Sequence, residues 1–472
     1  MLMRTKMRVK KVVLATLPAI VGGLYASVAG AAGFQLLEQN ASGMGTAYAG
    51  SAAVADNAST VFFNPAGMAY LPKGKNIAFG VDAINPSSKF SNNGSVAPLL
   101  QTLNNNNGGD AGDLAFVPHG YFTMPINEQI TFGVGVGAPF GLKTEYDSGW
   151  DGRFQAIKSD VKLINLNPSL SYKVNNSVSL GFGLNYQHLK GEFTSAVNYA
   201  GAVFAAAYAR ALGAGASPAQ AQAAAAAAGR PAGEGIGIIT GSDNAWGYNL
   251  GIMVDVTPDT RLGLSYRSKI KYHLTGNADF SKTGIPAIDA VLGSAASPVR
   301  GGAIYSDIKI PDTFIISGLH HVNDKWDIMG DLSWTGWSKI PVLTFNYASG
   351  PSTLSSTQES WKDTWRAAIG ASYKYNAQWK AKVGVAYDET PVPDVTRTPR
   401  LPDSDRTWLS IGGQYKPTKD SAIDFGYTHI FIKDGSINNN GGSATAQASY
   451  GLLKGKYNNE VDLLGIQYSL TF

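Results

Sequence analysis

From Leu463 to Phe472 the chain reads LLGIQYSLTF, and Leu464, Ile466, Tyr468, Leu470 and Phe472 alternate with Gly465, Gln467, Ser469 and Thr471. A period of two marks a β-strand with one apolar and one polar face. The same period recurs over 76–84, 115–124, 129–138, 160–173, 177–190, 245–256, 260–274, 312–322, 325–335, 364–375, 378–388, 406–416, 421–432 and 460–472, which predicts fourteen strands. Their connections alternate in length. Short links such as PINE (125–128), VNN (174–176), TPD (257–259) and NA (376–377) have turn chemistry. The others are long: 85–114, 139–159, 191–244, 275–311, 336–363, 389–405 and 433–459. Short turns on one side and long loops on the other describe an outer-membrane barrel.

The faces agree with that reading. Val178, Leu180, Phe182, Leu184 and Tyr186 fall on one side of their strand, with Ser177, Ser179, Gly181, Gly183, Asn185 and Gln187 on the other. In 260–274 the pattern assigns Leu262, Leu264, Tyr266, Ile270, Tyr272 and Leu274 to the outer face. Arg267, Lys269 and Lys271 fall opposite. A barrel places the apolar set on lipid and the polar set in a wet lumen. The expected fold is all-β, a 14-stranded antiparallel transmembrane β-barrel over 76–472.

Residues 32–75 break the period. Small residues dominate, yet Phe34, Leu36, Leu37, Val61, Phe62, Phe63 and Met68 are too apolar for a solvated tail. Asn64-Pro65-Ala66-Gly67 fits a type I turn. A turn-rich, small-residue segment suits an N-terminal hatch folded inside the lumen. Residues 1–31 read as a signal peptide: Arg4, Lys6, Arg8, Lys10 and Lys11 precede an apolar core and an Ala29-Gly30-Ala31 cleavage site.

Composition adjusts the picture at a few points. The five bases of the leader account for the positive formal charge, since 33 Lys and Arg then face 34 acids. The charge therefore points to no nucleic-acid partner. The chain has no Cys, so neither a disulfide framework nor a thiolate metal site exists. Beyond the leader no run of 18 apolar residues occurs, which excludes helical spans. His119, His188, His273, His320, His321 and His429 show no metal-ligand spacing, and no G-x-S-x-G element is present. No catalytic residue, metal or cofactor is expected. An aqueous porin, a barrel-type lipid hydrolase and a purely structural barrel are the rival classes. The apolar plug-like segment argues against the first.

The stretch AGFQLLEQNASGMGTAYAGSAAVADNASTVFFNPAGM resembles the hatch of the FadL/TodX family of outer-membrane hydrophobic-compound transporters, with Asn64, Pro65 and Ala66 at that family's signature. Further likeness runs through GLKTEY (141–146), NAWGYNLGIMVDV (244–256), WKDTWRAAIGASYKY (361–375) and VGVAYDETPVPDVTRTPRLPDSDRTWLSIG (383–412). The resemblance implies a monomer in the outer membrane of a Gram-negative bacterium. It would move long-chain fatty acids, or neutral aromatic or aliphatic hydrocarbons, past the hatch and sideways into lipid. It also implies a ligand pocket at the hatch, with Phe34, Leu36, Asn64, Pro65 and Ala66. A lateral gate at the third strand would involve Gly133, Gly135, Gly137 and Pro139. A capture groove on the Ala-rich loop 200–230 would use Val203, Phe204, Tyr208 and Leu212. The family's two carboxylate-binding bases align near Ser195 and Thr357, so Lys190 and Lys362 are the candidates to replace them.

Overall fold

The computed structural model describes residues 32–472 apart from 295, 296, 298 and 351. The expected signal peptide lies outside the described residues. Fourteen antiparallel strands span the wall. They are β1 (Asn76–Asn92), β2 (Ala115–Pro125), β3 (Ile130–Gly137, resuming as Gly141–Glu145), β4 (Lys158–Lys173), β5 (Val178–Val197), β6 (Gly235–Thr257) and β7 (Thr260–Arg267 and Ile270–Phe280). Then follow β8 (Gly302–Ile310 and Thr313–His321), β9 (Trp326–Thr335), β10 (Thr364–Lys374), β11 (Trp379–Asp388), β12 (Arg406–Thr418), β13 (Ser421–Ile432) and β14 (Leu453–Thr471). β1 pairs with β14 from Asn76↔Thr471 to Asn92↔Gly455, which closes the barrel and removes both sheet edges.

Leu180, Phe182 and Leu184 of β5 are exposed, whereas Ser179, Asn185 and Gln187 are buried. Apolar side chains thus cover the outside and polar ones the lumen, as lipid demands. Ring pairs mark the edges of that outer band: Trp326–Tyr373 at 4.8 Å and Trp379–Tyr415 at 4.6 Å beside the short turns, and Tyr186–Trp246 at 4.9 Å towards the long loops.

Several strands outrun the alternating segments on the long-loop side. β1 continues through 85–92, β5 through 191–197, β6 begins at Gly235 and β14 at Leu453. Past the lipid both faces meet water or protein, so the ladder persists while the apolar alternation fades.

One face assignment is corrected. β7 and β8 break together, at 268–269 and 311–312. Beyond the break Ile270, Tyr272 and Leu274 are buried in the lumen, while Lys269 and Lys271 point outward. The irregularity re-aims the strand, as bulges do. Tyr266 and Ile270 keep the same parity in sequence, so alternation alone hides the reversal.

The hatch, 32–75, fills the lumen with short turns. Ala41–Met44 and Thr60–Phe63 are single helical turns, and Pro65–Tyr70 is a 3-10 helix capped by Asn64. Gly67 N donates to Asn64 O at 2.9 Å, the expected turn, which here runs on into the helix. The hatch packs directly on the backbone of glycines in the wall. A methyl group at Gly181 would lie 2.2 Å from Ala66 N, and one at Gly251 would lie 2.0 Å from Asn64 Oδ1. At Gly133 it would lie 2.3 Å from Met68 Sδ. Glycine permits this approach.

Candidate ligand pocket and lateral gate

The first hatch residues run up to the break in β3. Leu36 N donates to Pro139 O at 2.8 Å, and Gly141 N donates to Phe34 O at 2.9 Å. Gln39 Nε2 donates to Ala138 O at 2.8 Å. Pro139 carries no N–H, and the ladder from β2 to β3 ends at Gly120↔Val136. Pairing of β3 with β4 stops at Gly137↔Asn165 and resumes, one residue out of phase, at Gly141↔Lys162. The wall beside 138–140 is therefore completed on its inner side by the hatch backbone. Gly133, Gly135, Gly137 and Pro139 all lie at or just below this break, and their lumen side carries Val61, Met68 and Gln39.

Phe34 projects from that junction into an aromatic cluster. Its ring centroid lies 5.6 Å from Phe140, 5.1 Å from Trp337 and 5.9 Å from Trp361. Trp337 and Trp361 are 5.3 Å apart, edge to face, a favourable quadrupole arrangement. Leu142, Leu163, Leu189, Ile270, Tyr272, Leu274, Ile310, Val392 and Leu401 complete the walls. The break in β8 positions Trp337, because Gly336 N donates to Asp312 O at 3.0 Å and Lys339 Nζ lies 2.5 Å from Asp312 Oδ1. Trp361 is held by the turn before β10, where Glu359 N and Ser360 N both donate to Pro341 O at 2.9 Å. Gly33, at φ 67°, is required for the approach: a Cβ there would lie 2.7 Å from Trp337 Cζ2.

Leu36 joins a second apolar cluster deeper in the lumen, with Met44, Tyr48, Phe63 and Trp408. Asn64 ties the lower hatch to the wall, its Nδ2 donating to Ala52 O at 2.7 Å and to Ile252 O at 3.1 Å. A cavity of about 160 Å³ opens between hatch and β8–β11, lined by Asn40, Tyr48, Asp56, His321, Lys380 and Lys382 among others. No residue of the Phe34 cluster lines it.

The two lysines do not reach the cluster. Lys190 is exposed on the outer face of β5, where its neighbour Leu189 takes the lumen side. Lys362 is exposed at the rim, with only Trp361 pointing in. Strand parity turns the first, expected to replace a missing base, away from the cluster, and turn direction does the same for the second. Phe140, Trp337 and Trp361 complete the cluster, and the signals for them in the sequence are two Trp within one long connection, 336–363, and a Phe directly after Pro139.

Above the wall, the Ala-rich loop forms two helices, Tyr199–Gly213 and Pro218–Gly229. Val203 is buried with Tyr199, Ala232, Ile288 and Leu292. Phe204 and Tyr208 stack at 5.9 Å on the half-buried side, and Leu212 is exposed.

Residues 22–472 match the family described as "Outer membrane protein transport protein (OMPP1/FadL/TodX)". The Escherichia coli K12 "Long-chain fatty acid transport protein" is 30% identical over 426 residues, covering 89% of this chain and 92% of its own. "Outer membrane protein P1" of Haemophilus influenzae is 31% identical over 420 residues, 86% of this chain and 87% of its own. Among solved structures, a Pseudomonas aeruginosa FadL homologue superposes with a TM-score of 0.81 at 26% identity, over 93% of this chain and all of that one. The Ralstonia pickettii toluene transporter TbuX shares the fold, with a TM-score of 0.62 at 18% identity over the same 93% of this chain and all of its own. Fourteen closed strands, a lumen filled by 32–75 and a match over nearly the whole length lead to one conclusion: this chain belongs to the OMPP1/FadL/TodX family of transport proteins and resides in the outer membrane of a Gram-negative bacterium.

Proposed function

We propose that the chain moves hydrophobic molecules, long-chain fatty acids first among them, by diffusion through a hatch-gated barrel with lateral exit into the bilayer. It acts as a monomer surrounded by outer-membrane lipid, and it catalyses no reaction. The observation that carries this reading is the double role of Phe34. Its ring fills the aromatic cluster, while its carbonyl accepts the hydrogen bond from Gly141 that seals the break in β3. A ligand that takes the place of the ring pulls on the seal. Ligands are gathered at the loop helices, where Phe204, Tyr208 and Leu212 offer apolar surface beside Val203. They then pass to the cluster of Phe34, Phe140, Trp337 and Trp361.

Lateral exit follows from transfer energetics. At about 0.8 kcal/mol per buried CH₂, a long alkyl chain keeps its burial by entering acyl chains and loses it in the periplasm. Asn64, Pro65 and Ala66 hold the lower hatch against β5 and β6 throughout, so the moving part is confined to Ala32–Leu36.

A disulfide tests the reading. Gln35 and Phe140 form an isolated antiparallel bridge flanked by the two hydrogen bonds above. That makes them a non-hydrogen-bonded pair, whose Cα atoms approach to about 4.5 Å, within disulfide range. In this Cys-free chain, Gln35→Cys with Phe140→Cys is expected to block uptake when oxidised and to restore it on reduction. Equal uptake of radiolabelled oleate in both redox states would remove the lateral gate from the mechanism.

A further inference from the structure

Between the aromatic cluster and the extracellular loops lies a cation that no carboxylate contacts as a salt bridge among the described residues. Arg400 belongs to the link from β11 to β12, and its side chain is partly exposed. Its Nη1 donates to Lys158 O and to Ser159 Oγ, each at 3.1 Å. Its carbonyl accepts from Thr144 Oγ1 at 3.2 Å. These bonds anchor the residue to the upper ends of β3 and β4 and leave Nε and Nη2 without a hydrogen bond among the described residues. No carboxylate forms a salt bridge with it among those residues. Its neighbours on the same rim are paired: Arg153 with Glu234 at 2.8 Å, Lys158 with Glu192 at 2.9 Å and Arg397 with Asp394 at 2.7 Å. Desolvation brings Arg400 down to about 10, with Glu359 the main charge opposing that fall. Glu359 is itself engaged, its Oε2 accepting from Trp361 Nε1 at 3.1 Å.

The surroundings are amphipathic in a particular way. On one side stands the inner cluster, through Leu401, Leu142 and Trp361. On the other, the guanidinium carbon lies 5.4 Å from the ring centroid of Phe193. Phe193 packs on Phe345 at 5.6 Å and belongs to an outer apolar patch with Ile304, Tyr347, Ile239 and Phe280. Arg400 therefore stands where two separate apolar surfaces meet, with two N–H edges unused. A planar guanidinium is matched to a carboxylate and accepts it in a forked geometry.

We infer that Arg400 is the carboxylate anchor of this transporter, a pivot that holds the head of a long-chain monocarboxylate while its tail passes from the outer patch around Phe193 to the inner cluster around Trp361. This rests on the reading of the chain as a hydrophobic-compound transporter and narrows its preferred cargo to amphiphiles with one anionic head. Ser159 Oγ is placed to donate a second bond to the same head.

The test uses the full-length mature protein in nanodiscs of uncharged lipid, with oleate and methyl oleate as probes and the change in intrinsic tryptophan emission, to which Trp337 and Trp361 contribute, as readout. Arg400→Gln is expected to weaken oleate about 10- to 100-fold, the range for a hydrogen bond to a charged group, and to leave methyl oleate within twofold. Arg400→Lys is expected to retain part of the preference, because the charge remains and the fork is lost. Equal weakening of both probes, or of neither, overturns the assignment. If Arg400→Gln does not assemble, the oleate to methyl oleate ratio of Arg400→Lys decides, and a wild-type ratio overturns it. Wild-type protein that binds neither probe refutes the transport reading itself, and the anchor with it.

Discussion

Replacing Gly181 with Ala places one methyl group against the signature turn of the hatch. The added Cβ would lie 2.2 Å from Ala66 N, 2.5 Å from Pro65 C and 2.8 Å from Pro65 Cγ. Ordinary carbon contacts begin near ~3.5 Å, so the hatch backbone must retreat by roughly 1 Å. No flexible side-chain end lies in the way to yield instead. Overpacking of this kind costs about 1–3 kcal/mol. The same retreat stretches the bond from Ser179 Oγ to Ala66 O, now 2.9 Å, and that from Asn64 Nδ2 to Ile252 O, now 3.1 Å. With about 1 kcal/mol for such bonds, the docked hatch loses some 2–4 kcal/mol, a shift of roughly 30- to 1,000-fold in docking. The strand ladders are untouched, so the barrel should assemble normally and migrate as a heat-modifiable band. Single-channel recording in planar bilayers should then show open events that the native protein lacks, and chymotrypsin should cut at Phe62 and Phe63. Gly318→Ala is the control, since its nearest neighbour would be Leu262 Cδ2 at 3.7 Å. A closed, protease-resistant Gly181→Ala protein, matching that control, would refute the view that backbone contact at β5 holds the hatch.

Other perturbations separate the remaining parts. Phe34→Ala removes the ring that occupies the cluster, so ligand should bind more tightly by fluorescence titration while uptake falls; unchanged affinity and unchanged uptake together would contradict the double role. Leu180→Arg puts charge on the lipid face and should destabilise the barrel by about 2–4 kcal/mol in reversible unfolding. Ser179→Arg, on the packed lumen face, should instead expel the hatch from an assembled barrel, and conductance distinguishes the two. Burial pushes the Glu359 carboxyl from 4.5 up to about 7. Folded protein thus holds a proton that the unfolded chain releases first, and this contribution to the turn carrying Trp361 is fully present below about pH 4.5. That contribution is lost as pH rises through about 7, by about 3 kcal/mol in total. Hydrogen-exchange protection factors at 359–363 should fall accordingly, and Glu359→Gln should abolish that fall.

The wall was legible because lipid imposes a single rule on every strand: one apolar face. Where that rule lapses, legibility lapses too. The upper ends of β1, β6 and β14 lost their alternation, and the coordinated break in β7 and β8 reversed Ile270, Tyr272 and Leu274 without changing their parity. The turn at Asn64 was readable from local chemistry, and Pro139 marked the break in β3. The pocket was not readable as a unit, because Phe34, Phe140, Trp337, Trp361 and Leu401 come from five separated segments whose meeting depends on hydrogen bonds such as Gly336 N to Asp312 O. Lys190 misled for a simpler reason: one residue along a strand exchanges lumen for outside.

Those five segments have a consequence for how such a protein diversifies. Trp337, Trp361, Val392, Arg400 and Leu401 sit on connections outside the lipid, whereas the residues that specify insertion sit on the strands. Selection on diet and selection on biogenesis therefore act on different stretches of the gene. On the pocket and anchor proposed above, a change at 361 or 400 would alter what is admitted without asking the assembly machinery to handle a different barrel, and a lineage meeting a new carbon source would need to revise only its loops.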